Sequence, residues 1–280
     1  MRVERIESLD RPELEPYRTM RRQSEQRRQG IFVAEGEKVV RRLLESNLPV
    51  VSVLLPEKWL EELRPLLEAR PEAGTVFLAE KKLLETLTGF SMYQGLLAVG
   101  KVPAPLGLEE VLGRSARPWL LAAAEGLSSA ENMGALVRNC AAFSAEALIV
   151  GETCGSPFLR RAVRSSMGTV FHLPIIEAGN LREVLSTLRA QGVRCVAAHP
   201  HVAGRTVTNA NLAGDCCVVF GSEGYGLSPA ILSVCDEAAA IPMPAAVDSL
   251  NVGSAAAVFL YEANRQRGRM EGGEGIKSVT

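Results

Sequence analysis

The sequence lacks any apolar run close to the roughly 18 consecutive residues that span a bilayer. Its first residues, Met1-Arg2-Val3-Glu4-Arg5, are polar and predict no signal peptide and no membrane partner. Net charge is also nearly absent, since 31 Lys and Arg against 32 Asp and Glu give a formal charge of -1. This balance argues against a protein coated in positive charge, but it permits a local surface that binds a polyanion.

Cysteine and histidine do not follow the spacing of a metal centre. None of the six cysteines forms a C-x-x-C pair, most lie among apolar residues, and the three histidines lack ligand spacing. We therefore predict no bound metal, no disulfides and reduced, buried thiols in a cytoplasmic protein. The cysteines are Cys140, Cys154, Cys195, Cys216, Cys217 and Cys235.

The hydrophobic pattern that is present predicts two successive α/β domains. With 280 residues and 47% hydrophobic composition, the chain is long enough for one or two domains with sizeable cores. In the first hundred residues, short apolar runs alternate with amphipathic segments. Strands are predicted at 31–36, 50–55, 75–78 and 96–99, and helices at 37–45, 58–69 and 80–87.

A stretch rich in proline and glycine, 104–117, predicts a linker around a short helix. Beyond it the alternation resumes with apolar runs that have no polar face, as expected for a parallel sheet buried on both sides. Strands are predicted near 119–124, 147–151, 171–174, 194–198, 217–221 and 238–242, and helices near 132–144, 157–166, 180–191, 228–234 and 252–265.

This second domain lacks the common nucleotide-binding and hydrolase motifs. Its first predicted strand is followed by Glu125-Gly126-Leu127-Ser128, which does not have the G-x-G-x-x-G spacing. Neither a Walker loop nor a G-x-S-x-G elbow occurs in the chain. The sequence therefore argues against a dinucleotide-binding domain, a P-loop enzyme and an α/β-hydrolase.

Three segments of the second domain combine polar and small residues in ways that suggest chemistry. The first, 131–140, carries Asn132 and Arg138 on a mostly apolar predicted helix. Taken alone, Arg138 is better explained as an arginine whose stem covers apolar surface while its head pairs with a carboxylate.

The second segment runs from a predicted buried strand into the turn Gly221-Ser222-Glu223-Gly224. Glycines allow the backbone to approach a ligand closely, and Glu223 would then lie at the ligand's edge. A plain strand-to-helix turn with a solvated glutamate explains the same residues about equally well.

The third segment, 241–257, places Ser249 and Asn251 before a helix of small residues. Serine and asparagine are favoured helix caps, which is the simpler explanation of these two positions. The small residues predict that another helix or a threaded chain packs very closely against this helix.

Together, in this order and at this spacing, the three segments closely resemble the motifs of SpoU-type (TrmH-like) RNA ribose 2′-O-methyltransferases of the SPOUT class. The resemblance covers roughly residues 118–268 and depends most on Gly221-Ser222-Glu223-Gly224, Ile241-Pro242-Met243 and Ser249-Leu250-Asn251-Val252. A weaker resemblance, in Phe32-Val33-Ala34-Glu35-Gly36 and Tyr93-Gln94-Gly95, relates the N-terminal part to the small L30e-like RNA-binding domain of such enzymes.

The resemblance implies a C-terminal SPOUT α/β domain with a deep trefoil knot at 118–280, after a small L30e-like α/β substrate-binding domain at 1–103. It implies S-adenosylmethionine (SAM) as the cofactor, with Gly221, Ile241 and Leu250 at its adenosyl moiety. It also implies a homodimer whose active site lies at the interface.

The resemblance further implies a set of residues around the reacting ribose: Asn132, Arg138, Glu223, Ser249 and Asn251. A guanidinium has a pKa above about 12 and no acceptor, so we expect Arg138 to bind a phosphate and stabilise the developing 2′-alkoxide. Asn132, Ser249 and Asn251 would orient Arg138 and the ribose. Glu223 would hold Asn132 or groups of the dimer partner.

Two arginine-rich stretches predict where RNA binds. Arg160 and Arg164, four residues apart on a predicted helix, would share a face that binds phosphate, although a solvated helix face explains them nearly as well. The second patch lies within 18–28 and includes Arg21, Arg22, Arg27 and Arg28. Because aromatic residues make up only 5%, base stacking is not expected to dominate, and a steep salt dependence is predicted.

The predicted substrate is ribosomal RNA, because an N-terminal domain of this type resembles the ribosomal RNA branch of the family. Transfer RNA is an alternative, as are base methylation and a non-catalytic RNA-binding or assembly homologue. The retained residues around the ribose argue against the non-catalytic alternative. Arg138 and Ser249-Leu250-Asn251 favour ribose over base chemistry. Pro244-Ala245 and Gly253 depart from the family pattern without removing a residue assigned to chemistry.

Overall fold

The structure, a computed structural model, describes residues 2–70, 74–88, 95–200, 205–244 and 246–268. Contacts divide the chain into two packing units, one of 1–104 with 156–172 and the other of 105–155 with 173–280. Tyr93 and Gln94, which contribute to the N-terminal resemblance, lie outside the described residues.

The first unit is built on a mixed five-stranded sheet. Its strands are β1 (Arg2–Arg5), β2 (Ile31–Glu35), β3 (Val50–Leu55), β4 (Thr75–Leu78) and β5 (Leu97–Lys101), in the order β1-β4-β3-β5-β2. The strands β1, β4 and β3 are parallel, whereas β5 is antiparallel to β3 and β2. The helices are α1 (Glu15–Arg18), α2 (Gln23–Gln29), α3 (Glu37–Glu45), α4 (Leu60–Glu68) and α5 (Lys81–Thr88).

Sequence periodicity located most of this unit. The helix α3 has the predicted bounds, because its apolar residues Val39, Val40, Leu43 and Leu44 recur on one buried face. The strand β1 and the helices α1 and α2 were not predicted. The strand β1 is four residues long and mostly exposed, and its backbone is paired only through β4, far along the chain.

The second unit is built on a parallel six-stranded sheet. Its strands are β6 (Leu120–Ala124), β7 (Ala147–Val150), β8 (Ile175–Glu177), β9 (Arg194–Ala198), β10 (Cys216–Phe220) and β11 (Glu237–Ala239), in the order β11-β9-β10-β6-β7-β8. The remaining helices are α6 (Leu108–Leu112), α7 (Ala130–Ala142), α8 (Arg160–Ser165), α9 (Leu181–Ala190), α10 (Pro229–Leu232) and α11 (Val252–Gln266). All of these except α8 pack in the second unit.

The predicted parallel sheet with two buried faces is confirmed. Every residue of β6, β7 and β10 is buried, as their continuous apolar sequences indicated. The short helix of the predicted linker, α6, contributes Val111 and Leu112 to the core of this unit, so part of the linker is integral to the second unit.

The segment 156–172, which the sequence analysis assigns to the second domain, packs with the first unit. The ring of Phe32 lies 5.5 Å from that of Phe158 and 5.3 Å from that of Phe171. The prediction of a strand near 171–174 is wrong, because Phe171 is buried by this ring packing and not by strand pairing. Thr169–Phe171 forms a 3-10 turn, and β8 begins only at Ile175.

The thiols behave as the sequence predicts. All six cysteines are free, and four of them are buried. Burial raises the pKa of the Cys140 and Cys195 thiols to about 12, so they stay protonated and unreactive at neutral pH. Among the described residues, no helix combines the length and apolar character needed to cross a membrane.

Candidate active site at the carboxyl edge of the parallel sheet

A cavity of about 500 Å³ opens at the carboxyl ends of three neighbouring strands of the second unit. Ala198, Phe220 and Ala239, the last residues of β9, β10 and β11, line it together with Ile241 and Leu250. Its volume lies within the roughly 300–1,000 Å³ of small-molecule sites, and this edge is where parallel sheets bind ligands.

The turn after β10 forms one wall of the cavity and is tightly closed. The Ser222 N–H donates to the Gly226 carbonyl at 3.1 Å, and the Gly226 N–H donates back at 3.0 Å. Gly226 has a φ of 65°, which suits glycine. A Cβ on Gly221 would lie 2.3 Å from the carbonyl carbon of Gly226, so only glycine fits at Gly221.

A chain of hydrogen bonds joins the three sequence motifs beside this cavity. The Gly253 N–H donates to Asn251 Oδ1 at 2.9 Å, and Asn251 Nδ2 donates to Asn132 Oδ1 at 2.8 Å. Asn132 Nδ2 in turn donates to Glu223 Oε1. The structure thus brings together three of the five residues that the resemblance implies around the ribose. Asn251 and Asn132 are 119 positions apart in the sequence, and Asn132 and Glu223 are 91 positions apart.

Helix caps hold the two asparagines in place. Ser129 caps α7 by accepting the Asn132 N–H at 3.3 Å, and Asn251 caps α11. The two helices run side by side in the same direction, since Asn132 contacts Asn251 at one end and Asn264 Nδ2 donates to the Phe143 carbonyl at the other. The capping function of Asn251 and its place in the hydrogen-bond chain therefore coexist.

Arg138 and Ser249 are exposed in this region. No carboxylate among the described residues pairs with Arg138, so the structure does not support the explanation of Arg138 as an ion-paired arginine. Ser249 and Leu250 line the cavity together with Asp248. The exposed guanidinium of Arg138 is thus available to an anionic ligand, a role that stays a prediction.

Two positioning contacts were missed by sequence reasoning. Asn139 Nδ2 donates to the Gly253 carbonyl at 2.6 Å. At the same residue, a Cβ on Gly253 would lie 2.9 Å from the Cβ of Ala135. Glu125 accepts both the Ser228 N–H at 2.8 Å and its hydroxyl at 2.7 Å, which anchors the far end of the turn after β10. The sequence contains one weak sign of these contacts, namely that Asn139 and Glu125 are polar residues close to the motifs.

The arginines predicted to contact RNA differ in how free they are. Arg160 is 13% exposed and pairs with the buried carboxylate of Glu35, whereas Arg164 is 57% exposed and reaches the same carboxylate at 3.1 Å. On α2, Arg28 pairs with Glu25 at 2.6 Å. Three others, Arg21, Arg22 and Arg27, are exposed and pair with no carboxylate of the described residues.

The fold and the cavity together define a ligand-binding α/β domain with a polar network at its mouth. The described residues contain no cluster of His, Cys, Asp and Glu that could hold a metal ion. The model of the SpoU rRNA methylase family matches residues 120–261, the range that contains the sheet, the cavity and the network.

Individual relatives agree with that match. An uncharacterized tRNA/rRNA methyltransferase of Mycobacterium tuberculosis is 33% identical, over 91% of this chain and 90% of that protein. The 23S rRNA (guanosine-2′-O-)-methyltransferase RlmB of Vibrio parahaemolyticus is 30% identical, over 74% and 85%. The AdoMet-bound rRNA methyltransferase of Sinorhizobium meliloti superimposes with a TM-score of 0.80 at 25% identity, over 94% and 98%. The chain therefore belongs to the SpoU rRNA methylase family.

Proposed function

We propose that the protein is a SAM-dependent RNA 2′-O-ribose methyltransferase that acts on ribosomal RNA in the cytoplasm. The observation that carries the proposal is the chain of hydrogen bonds through Asn132, Asn251 and Glu223 next to the cavity. Asn132 lies on the same helix as the exposed Arg138. The Vibrio relative is a 23S rRNA (guanosine-2′-O-)-methyltransferase, which supports the ribose as the methyl acceptor and ribosomal RNA as the substrate. The free cysteines are consistent with a reducing compartment.

The cavity has the features that a bound SAM requires. Gly221 lines the cavity without a side chain, so its main-chain groups can approach the adenosyl moiety. Ile241 and Leu250 offer apolar surface to the cavity, and the Leu250 side chain is exposed there. SAM would supply a methyl group on a positively charged sulfonium, which is already activated toward a nucleophile.

Arg138 would act on the RNA. Its guanidinium has no acceptor and stays charged, so it cannot remove the proton of the 2′-hydroxyl. It can bind the adjacent phosphate and stabilise negative charge that develops on the 2′-oxygen. The proton would pass to the phosphate or to solvent.

The other site residues would position these groups. The hydrogen bonds of Asn132 and Asn251 fix the start of α7, and Arg138 lies on that helix between one and two turns further on. Glu223 holds the turn after β10 against Asn132. Ser249, exposed at the cavity, is free to hydrogen-bond the ribose.

We further propose that the second unit contains the trefoil knot of the SPOUT class within residues 118–280. At Gly253 a Cβ would lie 2.9 Å from that of Ala135, and this close packing of α11 on α7 supports a threaded chain there. The mixed sheet and the helices of the first unit support an L30e-like RNA-binding domain within 1–103. The segment 104–117 then connects it to the second unit.

For RNA binding, the unpaired arginines of the first unit are the stronger candidates. Arg21, Arg22 and Arg27 keep their charge available, and Arg164 is more than half exposed. Arg160 and Arg28 are already neutralised by Glu35 and Glu25, so we assign them a weaker contribution to phosphate binding.

We propose that the exposed face of α7 and α11 forms the homodimer interface. Tyr261 is 46% exposed and Val258 36%, and Tyr261 meets Phe143 edge-on at 6.4 Å. Because Arg138 is also exposed on α7, an interface on these two helices would place the reacting ribose near it.

Introducing a charge at Val258 should convert the dimer to a monomer. Val258→Asp buries an unpaired carboxylate at the proposed interface, which is strongly unfavourable. Light scattering should show the mass falling by half, and methyl transfer should fall with it. Val51→Asp is the matched control, because Val51 is equally exposed but lies on β3. A Val258→Asp protein that stays dimeric would contradict this interface.

The proposed activity is tested by nucleoside mass spectrometry. Incubation of the protein with SAM and total RNA from a strain lacking its gene should yield a 2′-O-methylated nucleoside, mapped to ribosomal RNA. A base-methylated product would contradict the ribose assignment, and a product in transfer RNA would contradict the choice of substrate. With no product, the non-catalytic alternative gains support.

A further inference from the structure

The tip of the turn after β10 carries two side chains with opposite environments. Pairing of Ser222 with Gly226 closes the turn and leaves Glu223, Gly224 and Tyr225 at its tip. Glu223 is hydrogen-bonded to Asn132, whereas the Tyr225 side chain projects into solvent. The Tyr225 N–H is held by Ser222 Oγ at 3.2 Å, so the backbone fixes where this side chain starts.

Tyr225 is 99% exposed although it lies at the mouth of the cavity. Among the described residues, Tyr261 is also exposed, at 46%, but it packs against Phe143. A Cβ on Gly224 or on Gly226 would meet no atom within 4 Å, so the space around the tip is open. A large apolar ring in open space at a binding site contributes nothing to packing in the free protein, which indicates a partner that covers it.

The chemistry of the partner follows from the position of the ring. Val247 and Leu250 are also exposed in the segment that runs along the cavity, so the mouth presents apolar surface beside the polar network. If SAM fills the cavity, as proposed above, the group that approaches the mouth is the nucleotide to be methylated. Unpaired RNA bases are flat, apolar on their faces and commonly stacked on aromatic side chains.

We propose that Tyr225 stacks on an unpaired base of the RNA substrate at the mouth of the active site. The inference rests on the proposed function. Stacking uses the face of a base, which all four bases share, so Tyr225 contributes affinity and placement and leaves base identity to other contacts. A composition of 5% aromatics is compatible with this role, because one ring at the reacting nucleotide is sufficient.

Three substitutions separate the contribution of the aromatic ring from those of the hydroxyl group and of apolar volume. Tyr225→Phe keeps the ring, Tyr225→Leu keeps an apolar side chain without a π face, and Tyr225→Ala removes both. We expect the Phe variant to resemble the wild type. The Leu and Ala variants should lose about 10- to 100-fold in kcat/KM for RNA, the range of one lost stacking contact, with an unchanged dissociation constant for SAM.

A binding measurement independent of methyl transfer completes the test. A short single-stranded RNA of mixed sequence that carries one 2-aminopurine should be quenched by the wild type and the Phe variant, and much less by the Leu and Ala variants. This result supports stacking even if the wild type transfers no methyl group, in which case only the proposed function fails.

Four results would overturn the inference. These are a Leu variant as active and as strongly quenching as the wild type, a Phe variant as impaired as the Ala variant, and a wild type that does not quench the probe. The fourth is a change of oligomeric mass in the Ala variant, which would assign Tyr225 to contact with a second copy of the chain.

Discussion

Replacing Arg138 by alanine should reduce methyl transfer by about 100- to 1,000-fold while SAM still binds normally. The expected loss is that of removing one group that stabilises developing negative charge in the transition state. Stability should change little, because the Arg138 side chain is exposed on α7, has no ion-pair partner among the described residues, and alanine is a strong helix former. Single-turnover transfer of a radiolabelled methyl group and calorimetric titration with SAM measure the two quantities separately.

Two further variants make this result specific to Arg138. Arg182→Ala removes an equally exposed arginine from α9, outside the site, and should leave turnover unchanged. Arg138→Lys keeps the positive charge but loses the planar fork that binds a phosphate at two points, so it should retain only part of the activity. Wild-type turnover by Arg138→Ala would remove Arg138 from the centre of the mechanism.

The second large effect is expected at Gly221, where an alanine should strongly weaken cofactor binding. The added Cβ would lie 2.3 Å from the Gly226 carbonyl carbon and 2.5 Å from both the Gly226 oxygen and the Leu227 nitrogen. These are backbone atoms, so the turn itself must move. If the moved turn no longer forms two main-chain hydrogen bonds to SAM, at about 1.5 kcal/mol each, the dissociation constant of SAM should rise by about 100-fold or more.

Gly224→Ala is the control for Gly221→Ala within the same turn. A Cβ on Gly224 meets nothing within 4 Å, so this variant should bind SAM within a few-fold of the wild type. Circular dichroism and thermal melting of both variants distinguish a displaced turn from a chain that fails to fold. Equal SAM affinity of a folded Gly221→Ala protein and the wild type would contradict the close approach of the cofactor to this turn.

The sequence predicted the parallel sheet well because its signal is local. Continuous apolar runs as short as those of β6 and β10, five residues each, favour buried strands over helices because of their length. The same reasoning failed at 171–174, where Phe171 is buried by its ring contact with Phe32 without forming a strand itself. An apolar run records that a segment is buried, and it does not record which partner buries it.

The candidate site was predicted in its parts and not in its connections. The glycine at Gly221 and the capping residue Asn251 follow from local rules of backbone conformation. The bond between Asn251 and Asn132 spans 119 positions, so no periodicity contains it. Only resemblance to a family grouped these residues, and the resemblance carried no information on the free guanidinium of Arg138 or the exposed ring of Tyr225.

The hydrogen-bond chain beside the cavity has a fixed polarity, which makes it sensitive to chemical ageing. Gly253 N–H at one end can only donate, and the Glu223 carboxylate at the other can only accept, so both asparagine amides have one permitted orientation. Deamidation of Asn251 to aspartate would set its new oxygen against Asn132 Oδ1. Turning the Asn132 amide to relieve that clash would set its oxygen against Glu223. Replacing one nitrogen by oxygen would thus leave two acceptors facing each other in either orientation of the Asn132 amide, without any other change in the fold.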